Sequence, residues 1–188
     1  PPGPVYLTLP REVIAAPAVA GDNTNLVAST PAVPETGVIE EILDALVAAE
    51  FPLIVTSSGG RAAAAFHDLA DLAQQLAIPV AQPFATDANL PSEHDMNFGM
   101  EGMGLVAEAD LIIVMEAGVP WVGVQPKSST RVIQVAADPQ YARYPLRGFQ
   151  TDLAVATAAP EFLALLKAGL NAKNLDDASQ RRISTRKR

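Results

Sequence analysis

The chain has 188 residues, 49% of them hydrophobic but only 5% aromatic, and a formal net charge of −8. The lack of cysteine excludes disulfides, thiolate metal sites and cysteine nucleophiles, and no apolar stretch approaches the roughly 18–20 residues that span a bilayer. Residues 1–180 carry 8 basic against 21 acidic side chains, a balance of −13 that repels a phosphate backbone and argues against nucleic-acid binding.

In chain order, residues 4–10 (Pro-Val-Tyr-Leu-Thr-Leu-Pro) alternate β-formers between prolines and predict one short strand, whose sheet is expected to lie outside this chain. The start Pro1-Pro2-Gly3-Pro4 has neither the basic nor the apolar region of a signal peptide, so a cytoplasmic protein is expected. Residues 15–36 hold Pro17, Pro31 and Pro34 among small and polar residues, without apolar periodicity, and read as a linker.

The body starts near Glu35. Ile39, Ile42, Leu43, Leu46 and Val47 recur at helical spacing and predict an amphipathic helix over 37–50. Pro52 ends it, and Leu53-Ile54-Val55-Thr56 reads as a buried strand. Ser57-Ser58-Gly59-Gly60 then turns into a helix over 61–77, with a stripe of Ala62, Ala65, Phe66, Leu69, Leu72, Ala73 and Leu76. Ile78-Pro79-Val80-Ala81 is the next strand. A polar loop over 82–98 leads to the Gly- and Met-rich segment 99–104, which opens a short helix to Ala109.

Residues 110–115 (Asp-Leu-Ile-Ile-Val-Met) form the strongest strand pattern. A loop over 116–130 precedes strands at 131–135 and 152–155, and Pro160 in a first turn marks a closing helix to Leu170. Five of the 13 basic residues stand in the last eight positions, a tail expected to be solvated. Short apolar strands alternating with helices predict an α/β fold, a doubly wound, Rossmann-like parallel sheet covered on both faces. In such sheets ligands bind at the carboxyl ends of strands, where the strand order reverses.

The leading ligand-site candidate is therefore the turn Ser57-Ser58-Gly59-Gly60-Arg61. Glycines after a strand let backbone approach a phosphate, a helix start offers free N–H groups, and Arg61 adds a cation. Neither the G-x-G-x-x-G nor the Walker spacing is present, which favours a tight turn with nothing bound. Asp138 follows a strand, where an acid can hold a ribose hydroxyl; Pro139 beside it equally suits a plain turn. Trp121 lines a pocket or interface, or lids the local core. His67 is one turn before Asp71, where a surface hydrogen bond is expected. His94 lies in Ser92-Glu-His-Asp95 without the second cluster a metal site requires. The serines lack a nucleophile elbow, so no catalytic residue and no metal site is assigned. Arg181-Arg-Ile-Ser184 matches a basic phosphorylation pattern only superficially.

Three segments together resemble one family. Residues 3–13 (Gly-Pro-Val-Tyr-Leu-Thr-Leu-Pro-Arg-Glu-Val) look like the closing strand of the first domain in thiamine-diphosphate enzymes of the acetolactate synthase and benzoylformate decarboxylase type. Ile78-Pro-Val80, Pro91 and Gly99-Met-Glu-Gly-Met-Gly104 resemble the family's central domain, as do residues 109–113, 132–135 and Asp138-Pro139. The resemblance implies that 1–12 end a pyrimidine-binding domain, 13–34 are a linker, 35–170 the central domain, and 171–188 a linker or tail. It implies that thiamine diphosphate and magnesium belong to the parent enzyme and that none is held in this fragment. The cofactor-activating glutamate and the Gly-Asp-Gly…Asn motif would lie outside the chain; Gly21-Asp22-Asn23 lacks the second glycine of that motif.

Some family members hold FAD or ADP on this domain. Here Gly118-Val-Pro-Trp-Val122 replaces the Arg-Phe-Asp-Asp run of flavin binders, and Ala154-Val-Ala-Thr-Ala158 replaces an expected Gly-Asp, so neither is expected. The resemblance implies a structural, interface-bearing domain of a carboligase or decarboxylase. Its partners would be the pyrimidine- and pyrophosphate-binding domains, in a homo-oligomer. The alternative is a stand-alone module binding FAD, NAD or ADP at the Gly59-Gly60-Arg61 turn and Asp138.

Overall fold

The computed structural model describes residues 6–17, 32–142 and 147–186. Two compact units divide the chain, 1–30 and 31–188. In the first, residues 6–10 pair with no strand, and Arg11–Ala15 forms a short helix, α1. The predicted strand over 4–10 is thus absent at 6–10, and the rest of it lies outside the described residues. The reason is physical: a β-former run becomes a strand only beside another, and Tyr6, Leu7 and Leu9 are left exposed. Of the predicted linker, residues 18–31 lie outside the described residues.

The second unit carries helices α2 (Thr36–Ala48), α3 (Ala63–Leu76), α4 (Ala159–Ala172) and α5 (Asp177–Arg186). Its strands are β1 (Pro52–Thr56), β2 (Val80–Ala81), β3 (Asn97–Gly99), β4 (Leu111–Met115), β5 (Arg131–Ala136) and β6 (Leu153–Ala156). They form one sheet in the order β3-β2-β1-β4-β5-β6, every pairing parallel. This is the predicted Rossmann-like sheet, with β3 as an added edge strand.

β1 and β4 are buried along their whole length, as strands covered on both faces must be. Alternate side chains go to opposite faces. Ile54, Ile113, Met115, Ile133 and Val135 meet the apolar stripes of α2, α3 and α4. Leu53, Val55, Ile112, Val114 and Val132 meet Val106, Ala109 and Trp121. The second face is covered by irregular crossovers and a 3-10 helix over Glu101–Ala107. Gly118, Pro120, Gly123 and Pro126 keep the β4–β5 crossover from becoming a helix.

Acids stitch the amino edge of the sheet. Asp110, just before β4, accepts the backbone N–H groups of Glu50 (2.6 Å) and Phe51 (3.0 Å). Asp152, just before β6, accepts that of Val132 at 2.7 Å. These bonds serve donors where the chain enters a strand beyond the regular ladder. The predicted tail over 171–188 contains α5. Arg182 and Arg186 dock onto α2 and α3 rather than standing in solvent. Lys187 and Arg188 lie outside the described residues. Among the described residues no helix is long and apolar enough to cross a membrane.

Candidate functional site

The strand order reverses between β1 and β4, so the crevice such sheets use for ligands lies at the carboxyl ends of these two strands. Ser57 to Arg61 leave β1 there, and Glu116 leaves β4. Asp138 follows β5, one strand further along.

The turn after β1 is occupied by its own protein. The Gly59 N–H donates to Thr56 Oγ1 at 2.9 Å, the Gly60 N–H to Asn89 Oδ1 at 2.9 Å, and the Arg61 N–H to the Ser58 carbonyl at 3.1 Å. A methyl group on Gly60 would stand 2.4 Å from the Asn89 Cα, and one on Gly59 would stand 2.6 Å from the Met115 Cε. Neighbouring protein atoms thus account for both glycines. The Ser57 hydroxyl donates to the Pro83 carbonyl at 3.0 Å. The Ser57 carbonyl accepts the Thr86 N–H (3.0 Å) and the Asn89 side-chain amide (3.2 Å). Asn89 is fully buried, and its amide also donates to Gln82 Oε1 (3.0 Å) and the Asp87 carbonyl (3.0 Å). One asparagine therefore pins the loop after β2 to the turn after β1.

Glu116 lies across the crevice. It adopts φ 48°, a left-handed conformation that costs a non-glycine residue about 1–2 kcal/mol. Its N–H donates to the Val135 carbonyl at 3.0 Å, and its carbonyl accepts the Ser58 hydroxyl at 3.3 Å. Burial pushes the Glu116 carboxyl above the ordinary glutamate range, against the opposing pull of the Arg61 charge and of backbone hydrogen bonds at Ala137 and Ala159. A raised carboxyl pKa means the folded state holds the proton more tightly than the unfolded one. The stabilisation is full below the ordinary glutamate range and is lost as pH rises through the folded value. Glu116→Gln is expected to raise stability at neutral pH by under about 1 kcal/mol, allowing for solvent screening, with the gain vanishing in acid. Urea unfolding of both proteins across a pH series checks this; an equal gain at every pH would show that the charge is not the cause.

Asp138 serves its own turn. Its carboxylate accepts the Ala142 N–H at 2.9 and 3.2 Å, and its carbonyl accepts the Tyr141 N–H at 3.2 Å. The structure brings the Ser57–Arg61 turn and Glu116 together and places Asp138 in a separate turn.

Trp121 is 1% exposed and packs edge-on against Phe149, with ring centroids 5.5 Å apart. It is a lid over the second core. Arg147 stacks on Tyr141 (4.6 Å) and Phe149 (5.2 Å) and donates to Gln134 Oε1 at 3.3 Å; burial lowers its pKa, opposed by Tyr141 and Asp138. The expected partner of His67, Asp71, instead pairs with Lys167 of α4 at 2.6 Å, where a cation between Asp68 and Asp71 joins two helices. His94 Nδ1 accepts the Met96 N–H at 3.1 Å, which leaves Nε2 as the donor to the Ala70 carbonyl at 3.1 Å. Among the described residues no group of three or more His, Cys, Asp or Glu could hold a metal ion.

Reading the sequence missed Asn89 and Glu116. Glu116 carries the same signal as Asp138, an acid just past a strand. Asn89 carries no signal within a polar loop, because its importance comes from burial.

Residues 39–166 match the family model of the thiamine pyrophosphate enzyme central domain. Over 121 residues the chain is 35% identical to "Probable 2-ketoarginine decarboxylase AruI" of Pseudomonas aeruginosa, covering 61% of this chain and 21% of that protein. Benzoylformate decarboxylase from Polynucleobacter necessarius superposes with a TM-score of 0.64 at 21% identity, over 80% of this chain and 30% of that one. The thiamine diphosphate-dependent 4-hydroxybenzoylformate decarboxylase of Rhodococcus jostii RHA1 gives 0.63 at 20% identity, over 82% and 30%. These two structures speak to the fold alone, and the chain spans less than a third of each of these relatives.

Proposed function

This chain belongs to the thiamine pyrophosphate enzymes, as their central domain, and from that premise we propose that it is a non-catalytic, interface-bearing part of a thiamine-diphosphate-dependent decarboxylase or carboligase. The observation that carries the proposal is where the large apolar side chains lie bare. In the second unit, Phe84, Phe98, Met100, Val119 and Val122 are exposed, and so is Val33 ahead of α2. The first five lie on β3 or in the segments that follow β2, β3 and β4. Bare apolar groups gathered on one rim mark a surface that meets other protein. The loops over 83–98 and 116–130 would border the cofactor cleft of the intact enzyme, against its pyrimidine- and pyrophosphate-binding domains.

The described residues do not fit the cofactor itself. The glycine amides that would receive a diphosphate already serve Thr56 and Asn89. Among the described residues the acids form no cluster of the kind that holds magnesium. In this reading thiamine diphosphate and magnesium belong to the neighbouring domains, and the intact enzyme is a cytoplasmic homo-oligomer. The same spent amides argue against a nucleotide at the Gly59-Gly60-Arg61 turn.

Titration calorimetry of the chain with magnesium–thiamine diphosphate, FAD, ADP and NAD, one at a time, is expected to give no heat of binding. Micromolar affinity for magnesium–thiamine diphosphate would overturn the proposal. Binding of FAD or ADP would turn the closed turn after β1 into a working site.

A further inference from the structure

Neither α2 nor α3 has a basic residue in its last turn, and α3 ends on Ala77 at φ 51°, a position where glycine is the usual choice. The carbonyls at both helix ends find a donor elsewhere in the chain. The Arg186 guanidinium donates to the Leu76 carbonyl of α3 at 2.9 Å. It also donates to three carbonyls at the end of α2, those of Leu46 (2.9 Å), Val47 (3.2 Å) and Ala49. Arg182, one turn earlier, adds a bond to the Val47 carbonyl at 3.3 Å and an ion pair with Glu50 at 3.4 Å.

Helix α5 has little else to hold it. Ile183 is its one buried residue, and ten residues are too few for a stable isolated helix. Asp176 does start it, accepting the Ser179 N–H at 2.8 Å, and hydrogen bonding from Ser179 draws the Asp176 carboxyl below its ordinary range. Beneath α5 lies a cleft of about 340 Å³ lined by Asp44, Val47, Lys173, Asp176, Ser179 and Arg182.

We propose that α5 is a detachable strap, in which one arginine caps the carboxyl ends of two helices in trans and so fixes the course of the chain beyond Ala172. The strap opens before the sheet does. Its opening leaves the ends of α2 and α3 uncapped and takes away the wall of the cleft that Ser179 and Arg182 supply.

Hydrogen exchange read by mass spectrometry on the 188-residue chain tests the proposal. Arg186→Gln is expected to speed exchange over 177–186 and at the end of α2 by about tenfold or more, while β1 and β4 keep their protection. Arg186→Lys, whose ammonium keeps the charge but lacks the planar fork, is expected to fall between. A low concentration of guanidinium chloride, below the unfolding transition, competes for the same carbonyls and is expected to open α5 in the unaltered chain. Sodium chloride at equal ionic strength is not. Arg186→Lys, which keeps the charge, carries the test if Arg186→Gln fails to fold. Unchanged exchange over 177–186 in Arg186→Gln, or exchange there that rises only in step with β4, would overturn the proposal. So would equal opening by the two salts, which would make the Arg182–Glu50 ion pair the fastening.

Discussion

Gly60→Ala is expected to destabilise the domain by about 3 kcal/mol or more, among the largest costs for adding one methyl group. The new carbon would stand 2.4 Å from the Cα and 2.6 Å from the carbonyl oxygen of Asn89. Both are backbone atoms, so no rotamer change relieves the overlap. Moving that backbone would stretch the bond from the Gly60 N–H to Asn89 Oδ1 and loosen the other contacts of Asn89 to the same corner. Gly60 has no positive φ, so the cost is one of space and not of conformational freedom. Gly37 is the control. Nothing lies within 4 Å of a Cβ added there, and Gly37→Ala in α2 is expected to stabilise by up to about 1 kcal/mol. Urea unfolding of the three proteins, followed by circular dichroism, gives both signs. A loss below about 1 kcal/mol in Gly60→Ala would mean that the loop carrying Asn89 packs less closely on the turn than described.

Trp121→Ala is expected to cost about 4 kcal/mol, the range for truncating a fully buried tryptophan. The residue lies in a Gly- and Pro-rich crossover, yet it fills the second core with Leu53, Val55, Val114 and Val132. Among the described residues its indole Nε1 has no hydrogen-bond partner, and it contributes through volume and contact area. Trp121→Phe keeps most of that area, drops the unmet N–H, and is expected to lose much less. Because Trp121 is the only tryptophan, the unfolding is followed by circular dichroism. If Trp121→Ala cost less than about 1 kcal/mol, the 116–130 crossover would not be part of the core.

What could be read from the sequence follows what each segment does alone. The runs at 53–55 and 111–115 are apolar throughout because both their faces are covered, and such runs announce themselves. The stripes of α2, α3 and α4 were legible for the same reason. β3 was not, since Asn97-Phe98-Gly99 borrows its strand geometry from pairing with β2 across an irregular register. Nor was α5, whose polar sequence gives no apolar stripe and whose fastening is a guanidinium on distant carbonyls. At the candidate site, Ser57, Gly59, Gly60 and Arg61 were visible as a turn. Their hydrogen-bond partner Asn89 sits 29 residues from Gly60 and became evident only when the chain closed. The left-handed Glu116 was hidden because backbone conformation is imposed by the neighbours it meets.

The register of the sheet also bears on the order in which it assembles. β4 and β5 pair residues 20 apart, as do β5 and β6, and β1 and β2 pair residues 26 apart. β1 and β4 pair residues 59 apart, Pro52 with Leu111 and so on along five rungs. Closing the longer span costs about 1 kcal/mol more in chain entropy than closing a 20-residue one. The seam between the two halves, where the strand order reverses, is therefore the dearest closure in the sheet. Each half can gather by short excursions, and the halves meet along β1 and β4, both buried along their whole length. The crevice that crowns that seam exists only once this long-range pairing has formed, so its shape reports whether the two halves have joined.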